Sequence, residues 1–84
     1  MQLRYEPRAV RALKRLGPRD RQNVVAAIET FARGDAPNAD VKKLHAMKPA
    51  TWRLRVGDFR VLYRHIRGAV VIVDLDDRKD IYRR

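Results

Sequence analysis

The chain has 84 residues, of which 20 are Lys or Arg and 10 are Asp or Glu, giving a formal net charge of +10 at pH 7. This length accommodates one modest hydrophobic core and excludes two, so we expect a single domain over residues 1–84. A hydrophobic fraction of 45% excludes general disorder. The sequence contains no cysteine, which excludes disulfides and thiolate chemistry and makes a cytoplasmic location the default.

The excess positive charge favours a polyanionic partner, because it opposes compaction of so small a domain. Nucleic acid is the first candidate, an acidic protein the second and an anionic membrane surface the third. No apolar run reaches membrane-spanning length, and no signal-peptide apolar region follows Met1, so we expect no membrane partner. His45 and His65 cannot form an ordinary zinc site by themselves, and we expect neither a metal nor a cofactor.

The first part of the chain predicts a short strand followed by a helical hairpin. Residues 2–5 alternate as a strand does, and Pro7 suits the first turn of a helix, where its missing N–H costs nothing. Gly17-Pro18 ends that helix and begins another, for which Gly34 is the expected C-terminal cap. The second helix is expected to bury Val24, Val25, Ile28, Phe31 and Ala32.

Residues 34–40 have a loop composition, and residues 41–49 match neither a helix nor a strand clearly. We expect Val41 and Leu44 to anchor the latter segment to the core. Residues 69–75 are apolar on both faces, which predicts a strand that is central or covered on both sides. A short charged tail follows.

Residues 52–63 predict a β-hairpin that turns at Gly57-Asp58. Side chains alternate across a strand, so one face is apolar and holds Trp52, Leu54, Val56, Phe59, Val61 and Tyr63. The other face holds Arg53, Arg55, Arg60, Leu62 and Arg64. Arg55 is predicted to lie directly opposite Arg60, and like charges in that arrangement destabilise a sheet. Fold stability gives no reason for this pair, whereas a bound anion does.

The predicted order is β-α-α-β-β-β, with the last three strands forming an antiparallel meander. Helices followed by strands are typical of the α+β class. We expect the helical hairpin to pack on the apolar face of the 52–63 hairpin and to leave the arginine face open as a concave surface.

In these residues the chain resembles the RelE/ParE toxin superfamily of bacterial toxin–antitoxin systems. The resemblance spans nearly the whole chain and is densest at Leu44, residues 52–63 and residues 78–82. Its pattern is basic-x-basic-x-Gly-Asp-aromatic-Arg-Val-x-Tyr, followed by Arg-x-x-x-Tyr near the end of the chain. The resemblance implies a RelE-like fold, with a helical hairpin packed on a mainly antiparallel twisted sheet.

The resemblance also implies an activity. The RelE branch of the family is implied to enter the ribosomal A site and cut messenger RNA without a metal, inhibiting translation. Carried over by position, the catalytic residues are Arg53, Arg55, Arg60, Arg78 and Tyr82. The guanidinium groups stabilise charge on the phosphorane, and Tyr82 is the candidate proton shuttle because arginine stays protonated. The RNA-binding residues are Arg53, Arg55, Arg60, Arg64, Lys43 and Lys48.

Three departures from the family pattern keep other functions open. The basic pair is often lysine in relatives, whereas Arg53 and Arg55 bind phosphate better and shuttle protons worse. Asp77 stands where many relatives have histidine, and the only acid between Arg53 and Tyr63 is Asp58, in the turn. The alternatives are a ParE-type toxin that poisons DNA gyrase without cutting RNA, and a degenerate, non-catalytic RNA-binding relative.

Either toxin implies further partners. We expect a cognate RelB-like antitoxin with an acidic or amphipathic segment that wraps the domain and neutralises the arginine face. Operator DNA would be bound only through that antitoxin, and the RNase hypothesis adds the 70S ribosome with messenger RNA in its A site.

Structural explanations compete with these roles. The hairpin arginines alternate with apolar residues, as in a solvated sheet face. Capping of the C-terminal region is the structural alternative for Arg78, and terminal packing is the alternative for Tyr82. Asp76-Asp77 resembles a metal-binding pair but is more simply solvated or ion-paired. We expect His65 to be a partly buried structural residue and His45 to be a surface residue.

Overall fold

A computed structural model describes residues 2–77 and Ile81. The helices are α1 (Pro7–Lys14) and α2 (Pro18–Ala32), and the strands are β1 (Gln2–Tyr5), β2 (Asp40–Leu44), β3 (Thr51–Val56), β4 (Phe59–Ile66) and β5 (Ala69–Asp76). The strands form one sheet in the order β1-β5-β4-β3-β2. β1 runs parallel to β5 and the other neighbours are antiparallel, so the predicted α+β class is confirmed.

The predicted hairpin of β3 and β4 is confirmed residue by residue. Val56 pairs with Phe59, and the register continues through Arg55 with Arg60 to Trp52 with Tyr63. Gly57 has a φ of +58°, a conformation that glycine adopts without the steric cost of a Cβ atom. The alternation of apolar and charged residues therefore predicted correctly that the hairpin arginines share one face of the sheet.

β2 is the strand that the sequence did not predict. Its two apolar residues, Val41 and Leu44, lie on opposite faces of the sheet, so the segment lacks the period of two that marks a half-buried strand. Leu44 is buried as expected, but Val41 is 39% exposed, and its predicted anchoring role is wrong. Pairing with β3, rather than an apolar pattern of its own, explains why this edge segment is extended.

The helices pack on the apolar face of the sheet, here called the helix face. The core joins both helices to three strands and consists of Ala9, Ala12, Val24, Ile28, Ala32, Leu54, Val61, Tyr63, Val70, Ile72 and Leu75. The end of α2 has the expected cap: Gly34, with a φ of +81°, donates its N–H to the Phe31 carbonyl, and the Asp35 N–H donates to the Thr30 carbonyl. These two bonds are those of a Schellman motif.

The opposite face, here called the arginine face, is not entirely open. Leu44, Leu62 and Ile81 form a second buried cluster there, with Met47 and Val73 packed against it. The expectation of an open concave face is therefore wrong around Leu62, because Ile81 covers that part of the sheet. β5 is covered on both sides, as its apolar sequence predicted. No helix in the described part of the chain is long and apolar enough to cross a membrane.

Candidate anion-binding site

The arginine face gathers the hairpin arginines near the β3–β4 turn. Arg55 and Arg60 are direct cross-strand partners, and Arg53 follows on the same face of β3. Side chains directly opposite one another in an antiparallel pair have Cβ atoms about 5 Å apart, and alternate residues of one strand share a face. Three of the predicted site residues therefore form one group.

Arg53 is the most constrained member of this group. Its Nη2 donates to Oδ1 of Asp40 on β2 at 2.6 Å, and its side chain is only 17% exposed. Its Nε is buried without a hydrogen-bond partner among the described residues. Asp40 fixes the direction of the guanidinium, a role that sequence analysis missed because β2 was not recognised.

Arg55 and Arg60 remain available to an external anion. Arg55 is exposed, and its Nε donates to the Gly57 carbonyl at 3.2 Å, while Nη1 of Arg60 donates to the Asp77 carbonyl at 3.4 Å. Within residues 2–77 and 81, neither guanidinium forms an ion pair with a carboxylate. On the neighbouring strands, Asp40 lies across from Arg55 and Asp76 lies across from Arg60. A phosphate between the two guanidinium groups would accept hydrogen bonds from both.

Arg64 lies farther along β4 and is held by a separate set of contacts. Its Nε donates to Oγ1 of Thr51 at 3.1 Å, and the fully buried Thr51 hydroxyl donates to the Pro49 carbonyl at 2.9 Å. Its Nη1 lies 4.0 Å from Oε1 of Glu6. Thr51 thus orients Arg64, and the hairpin register links the two residues, since they lie one position beyond the pair of Trp52 and Tyr63.

The two lysines predicted to bind RNA do not join the arginine group. Lys43 is paired with Trp52, and its ammonium lies 5.7 Å from the centroid of the Trp52 ring on the helix face, as in a cation–π contact. Lys48 is exposed in the connection between β2 and β3. Their RNA contacts stay predictions. Arg78 and Tyr82, the remaining candidates, lie outside the described residues.

The two histidines lie apart from the arginine group. His65 is exposed, so the expected partial burial is wrong, yet its ring packs edge-on against Trp52 at 5.0 Å and Tyr63 at 5.5 Å. His45 is exposed, as predicted. The Asp76 carboxylate accepts the Asp77 N–H at 2.7 Å. Among the residues described, no three His, Cys, Asp or Glu side chains group as metal ligands.

The described tyrosines are unsuited to proton transfer at this site. Burial raises the pKa of Tyr63, and burial together with the nearby Glu29 raises the pKa of Tyr5. Both side chains pack in the core on the helix face, away from the arginines. Each phenol therefore stays protonated at neutral pH, and neither can take a proton from a substrate on the opposite face.

A two-helix layer on a five-stranded, mostly antiparallel sheet is the architecture of RelE-type toxins. The model of the ParE toxin of type II toxin–antitoxin system, parDE, matches residues 3–82. The chain is 37% identical to Toxin RelG of Mycobacterium tuberculosis (strain ATCC 25618 / H37Rv) over an 87-residue alignment, which covers 98% of this chain and 95% of that toxin. The chain therefore belongs to the RelE/ParE toxin superfamily and is a toxin of a type II toxin–antitoxin system.

Solved structures agree with this assignment. The toxin–antitoxin complex RelBE2 of Mycobacterium tuberculosis contains a chain 35% identical to this one, with a TM-score of 0.65 and coverage of 92% of this chain and 96% of that chain. The RelB–RelE complex of Methanococcus jannaschii is similar in fold, with a TM-score of 0.75 at 21% identity and 95% coverage of both chains.

Proposed function

We propose that this toxin is a ribosome-dependent endoribonuclease that cuts messenger RNA in the A site, without a metal, and so inhibits translation in the cytoplasm. The observation that carries the proposal is the facing pair of Arg55 and Arg60, neither of which forms an ion pair within the described residues. Asp40 and Asp76 flank this pair on the neighbouring strands. A scissile phosphate is the anion that such a pair suits best, since negative charge increases on it during the reaction.

The proposed reaction is an internal phosphoryl transfer. The 2′-hydroxyl oxygen of the RNA forms a bond to the adjacent phosphorus, the bond from phosphorus to the 5′-oxygen breaks, and the products are a 2′,3′-cyclic phosphate and a 5′-hydroxyl. Arg55 and Arg60 would stabilise the phosphorane, with Arg53 held beside them by Asp40. One proton leaves the 2′-hydroxyl and one reaches the 5′-oxygen. We assign that transfer to Tyr82, with Arg78 as a further phosphate ligand.

A cognate antitoxin is the second partner that we propose. The similar chains of Mycobacterium tuberculosis and Methanococcus jannaschii were solved in toxin–antitoxin complexes. A formal charge of +10 favours an acidic or amphipathic antitoxin segment that covers the arginine face. Operator DNA would then be bound through the antitoxin alone.

Gyrase poisoning is the competing function, favoured by the match to the ParE toxin model. Messenger-RNA ends mapped in a purified translation system distinguish RNase activity from gyrase poisoning. The proteins to compare are the wild-type toxin, Arg60→Ala and Tyr82→Phe. We expect ribosome-dependent cuts that both variants lose. Arg33→Ala is the matched control, because Arg33 is an exposed arginine that follows α2 and pairs with Asp35, away from the hairpin. Intact messages together with gyrase-trapped DNA breaks would overturn the RNase proposal.

A further inference from the structure

A row of four charged residues crosses the arginine face beside the β3–β4 turn, and it begins and ends with an acid. Arg55 and Arg60 form the centre of the row. Asp40 on β2 is the outer partner of Arg55, and Asp76 on β5 is the outer partner of Arg60. Direct cross-strand partners share a face of the sheet, so two carboxylates flank the two guanidinium groups. The formal charges of the row cancel, although a phosphate bound to the arginines gains from positive charge alone.

The carboxylate at the β2 end of the row binds an arginine other than its direct partner. Oδ1 of Asp40 accepts a hydrogen bond from Nη2 of Arg53 at 2.6 Å. Among the described residues, no ion pair joins Asp40 to Arg55. Asp40 therefore directs one guanidinium and leaves that of its partner to an external anion. The acid at this end of the row acts on the geometry of the site.

The carboxylate at the β5 end reaches Arg60 through the backbone of the next residue. Oδ1 of Asp76 accepts the Asp77 N–H at 2.7 Å, and the Asp77 carbonyl accepts a hydrogen bond from Nη1 of Arg60 at 3.4 Å. Asp77 lies just beyond β5, so the pairing of β4 with β5 does not extend to it. A hydrogen bond from a neighbouring side chain restrains the backbone at such a position. Asp76 thus helps to set the direction of the carbonyl that holds Arg60.

An acid beside a phosphate-binding arginine has two physical roles, and their effects have opposite signs. As a charge, the carboxylate repels a phosphate and weakens the site. As a hydrogen-bond acceptor, it orders the backbone that orients the guanidinium, and an ordered guanidinium loses less entropy when the phosphate binds. An amide keeps an acceptor oxygen and has no charge, so an Asp→Asn substitution separates the two roles.

We propose that Asp76 is a positioning residue for Arg60, and that it acts through its hydrogen bond to the Asp77 N–H rather than through its charge. The inference rests on the proposed function, since it takes Arg60 as a ligand of the scissile phosphate. Donors that are already oriented stabilise the charge that develops on this phosphate without a cost of reorganisation. The Asp76-Asp77 pair thereby gains a role other than metal binding.

The test compares Asp76→Asn with Asp76→Ala, which remove the same charge and differ in the acceptor oxygen. In a purified translation system, Asp76→Ala should cut messenger RNA about threefold to tenfold more slowly than Asp76→Asn, the worth of one hydrogen bond. Asp76→Asn should cut at least as fast as the wild type, because it keeps the acceptor and repels the phosphate less. Asp58, an exposed acid in the β3–β4 turn, is the matched control, and its Asn and Ala variants should cut at equal rates.

Two further measurements determine whether the effect passes through Arg60. In the free chain, ¹⁵N relaxation of the Arg60 Nε–H should give an order parameter below about 0.6 in Asp76→Ala and a higher value in the wild type and Asp76→Asn. In a fluorescence assay of RNA binding, the Asn and Ala variants should differ in affinity when Arg60 is present and bind equally in an Arg60→Ala background. Thermal unfolding of each variant verifies that the fold is intact.

Equal cleavage by Asp76→Asn and Asp76→Ala would overturn the inference, as would an Arg60 order parameter that Asp76→Ala leaves unchanged. Faster cleavage by both variants would mean that the carboxylate acts only as a charge. The fate of the RNase proposal is separate. A wild-type chain that cuts no messenger RNA contradicts the proposed function, and the Arg60 order parameter then decides this inference by itself.

Discussion

Arg55 on β3 and Arg60 on β4 are direct cross-strand partners, and in the described residues each bonds only to a backbone carbonyl. This relationship links the sequence, the fold and the proposed activity. Two like charges at opposed positions cost stability, and Asp40 and Asp76, the other cross-strand partners of this pair, offset part of that cost. The proposed role of the pair is to bind an anion.

Removing one member of this pair should separate stability from function. We expect Arg60→Ala to change the free energy of unfolding by less than about 1 kcal/mol, because the repulsion from Arg55 and the attraction to Asp76, its partner on β5, are lost together. Binding to RNA should fall at the same time. Urea denaturation and a fluorescence binding assay measure the two effects. A loss of more than about 1 kcal/mol would mean that Arg60 stabilises the fold.

The ion pair of Arg53 and Asp40 should matter more for the site than for stability. Because the Asp40 side chain is 57% exposed, solvent screens the pair and Asp40→Asn should cost no more than about 1 kcal/mol of unfolding free energy. Cleavage should fall more steeply, since Arg53 loses the partner that fixes its guanidinium. Asp35→Asn, which breaks the exposed pair with Arg33, is the control for a mere change in charge. Equal cleavage by both variants would contradict this role of Asp40.

Ile81 should contribute strongly to the free energy of unfolding, because it is a buried member of the second cluster. It is 2% exposed against Leu44 and Leu62, so Ile81→Ala should cost about 2–4 kcal/mol of unfolding free energy through lost burial and a cavity. Ile66→Ala removes the same atoms from a side chain that is 42% exposed and should cost much less. Chemical denaturation of the two variants compares them directly, and similar losses would contradict the burial of Ile81.

Arg21 joins the two helices at the end of α1. Its Nε donates at 3.1 Å to the Leu13 carbonyl, which also accepts the Leu16 N–H, and its Nη2 donates at 2.8 Å to the Leu16 carbonyl, which follows α1. Arg21→Ala should lower the free energy of unfolding by about 1–2 kcal/mol. Arg21→Lys should restore little, because only the forked guanidinium reaches both carbonyls. Arg19→Ala is the exposed control, and thermal unfolding is the measurement.

The buried tyrosines predict how stability responds to alkaline pH. The pKa of Tyr63 and that of Tyr5 are raised in the folded chain, so the unfolded chain releases these protons first, near pH 10. The contribution of these two tyrosines to the free energy of unfolding is fully present below pH 10. It is lost as the pH rises through the pKa that each tyrosine has in the folded chain. Urea titrations from pH 8 to 11 should show the decline, and Tyr63→Phe should flatten it. An identical decline in that variant would assign the effect to other groups.

The local features of this chain could be predicted from its sequence. The period of two in residues 52–63, together with Gly57, determined the hairpin register and gathered Arg53, Arg55 and Arg60 on one face. Gly34 likewise determined the end of α2, because a Schellman cap depends only on the residues around it.

The contacts that complete the site were decided by the tertiary structure. Asp40 and Arg53 are 13 residues apart and meet across β2 and β3, whose pairing no local pattern reveals. Thr51 and Arg64, by contrast, follow from the register of the predicted hairpin, one position beyond Trp52 and Tyr63. Lys43 faces Trp52 because β2 pairs with β3 in one particular register. The sequence by itself therefore determined which arginines lie together. Only the pairing of β2 with β3 decided that Arg53 is held in an ion pair by Asp40, whereas Arg55 and Arg60 form no ion pair among the described residues.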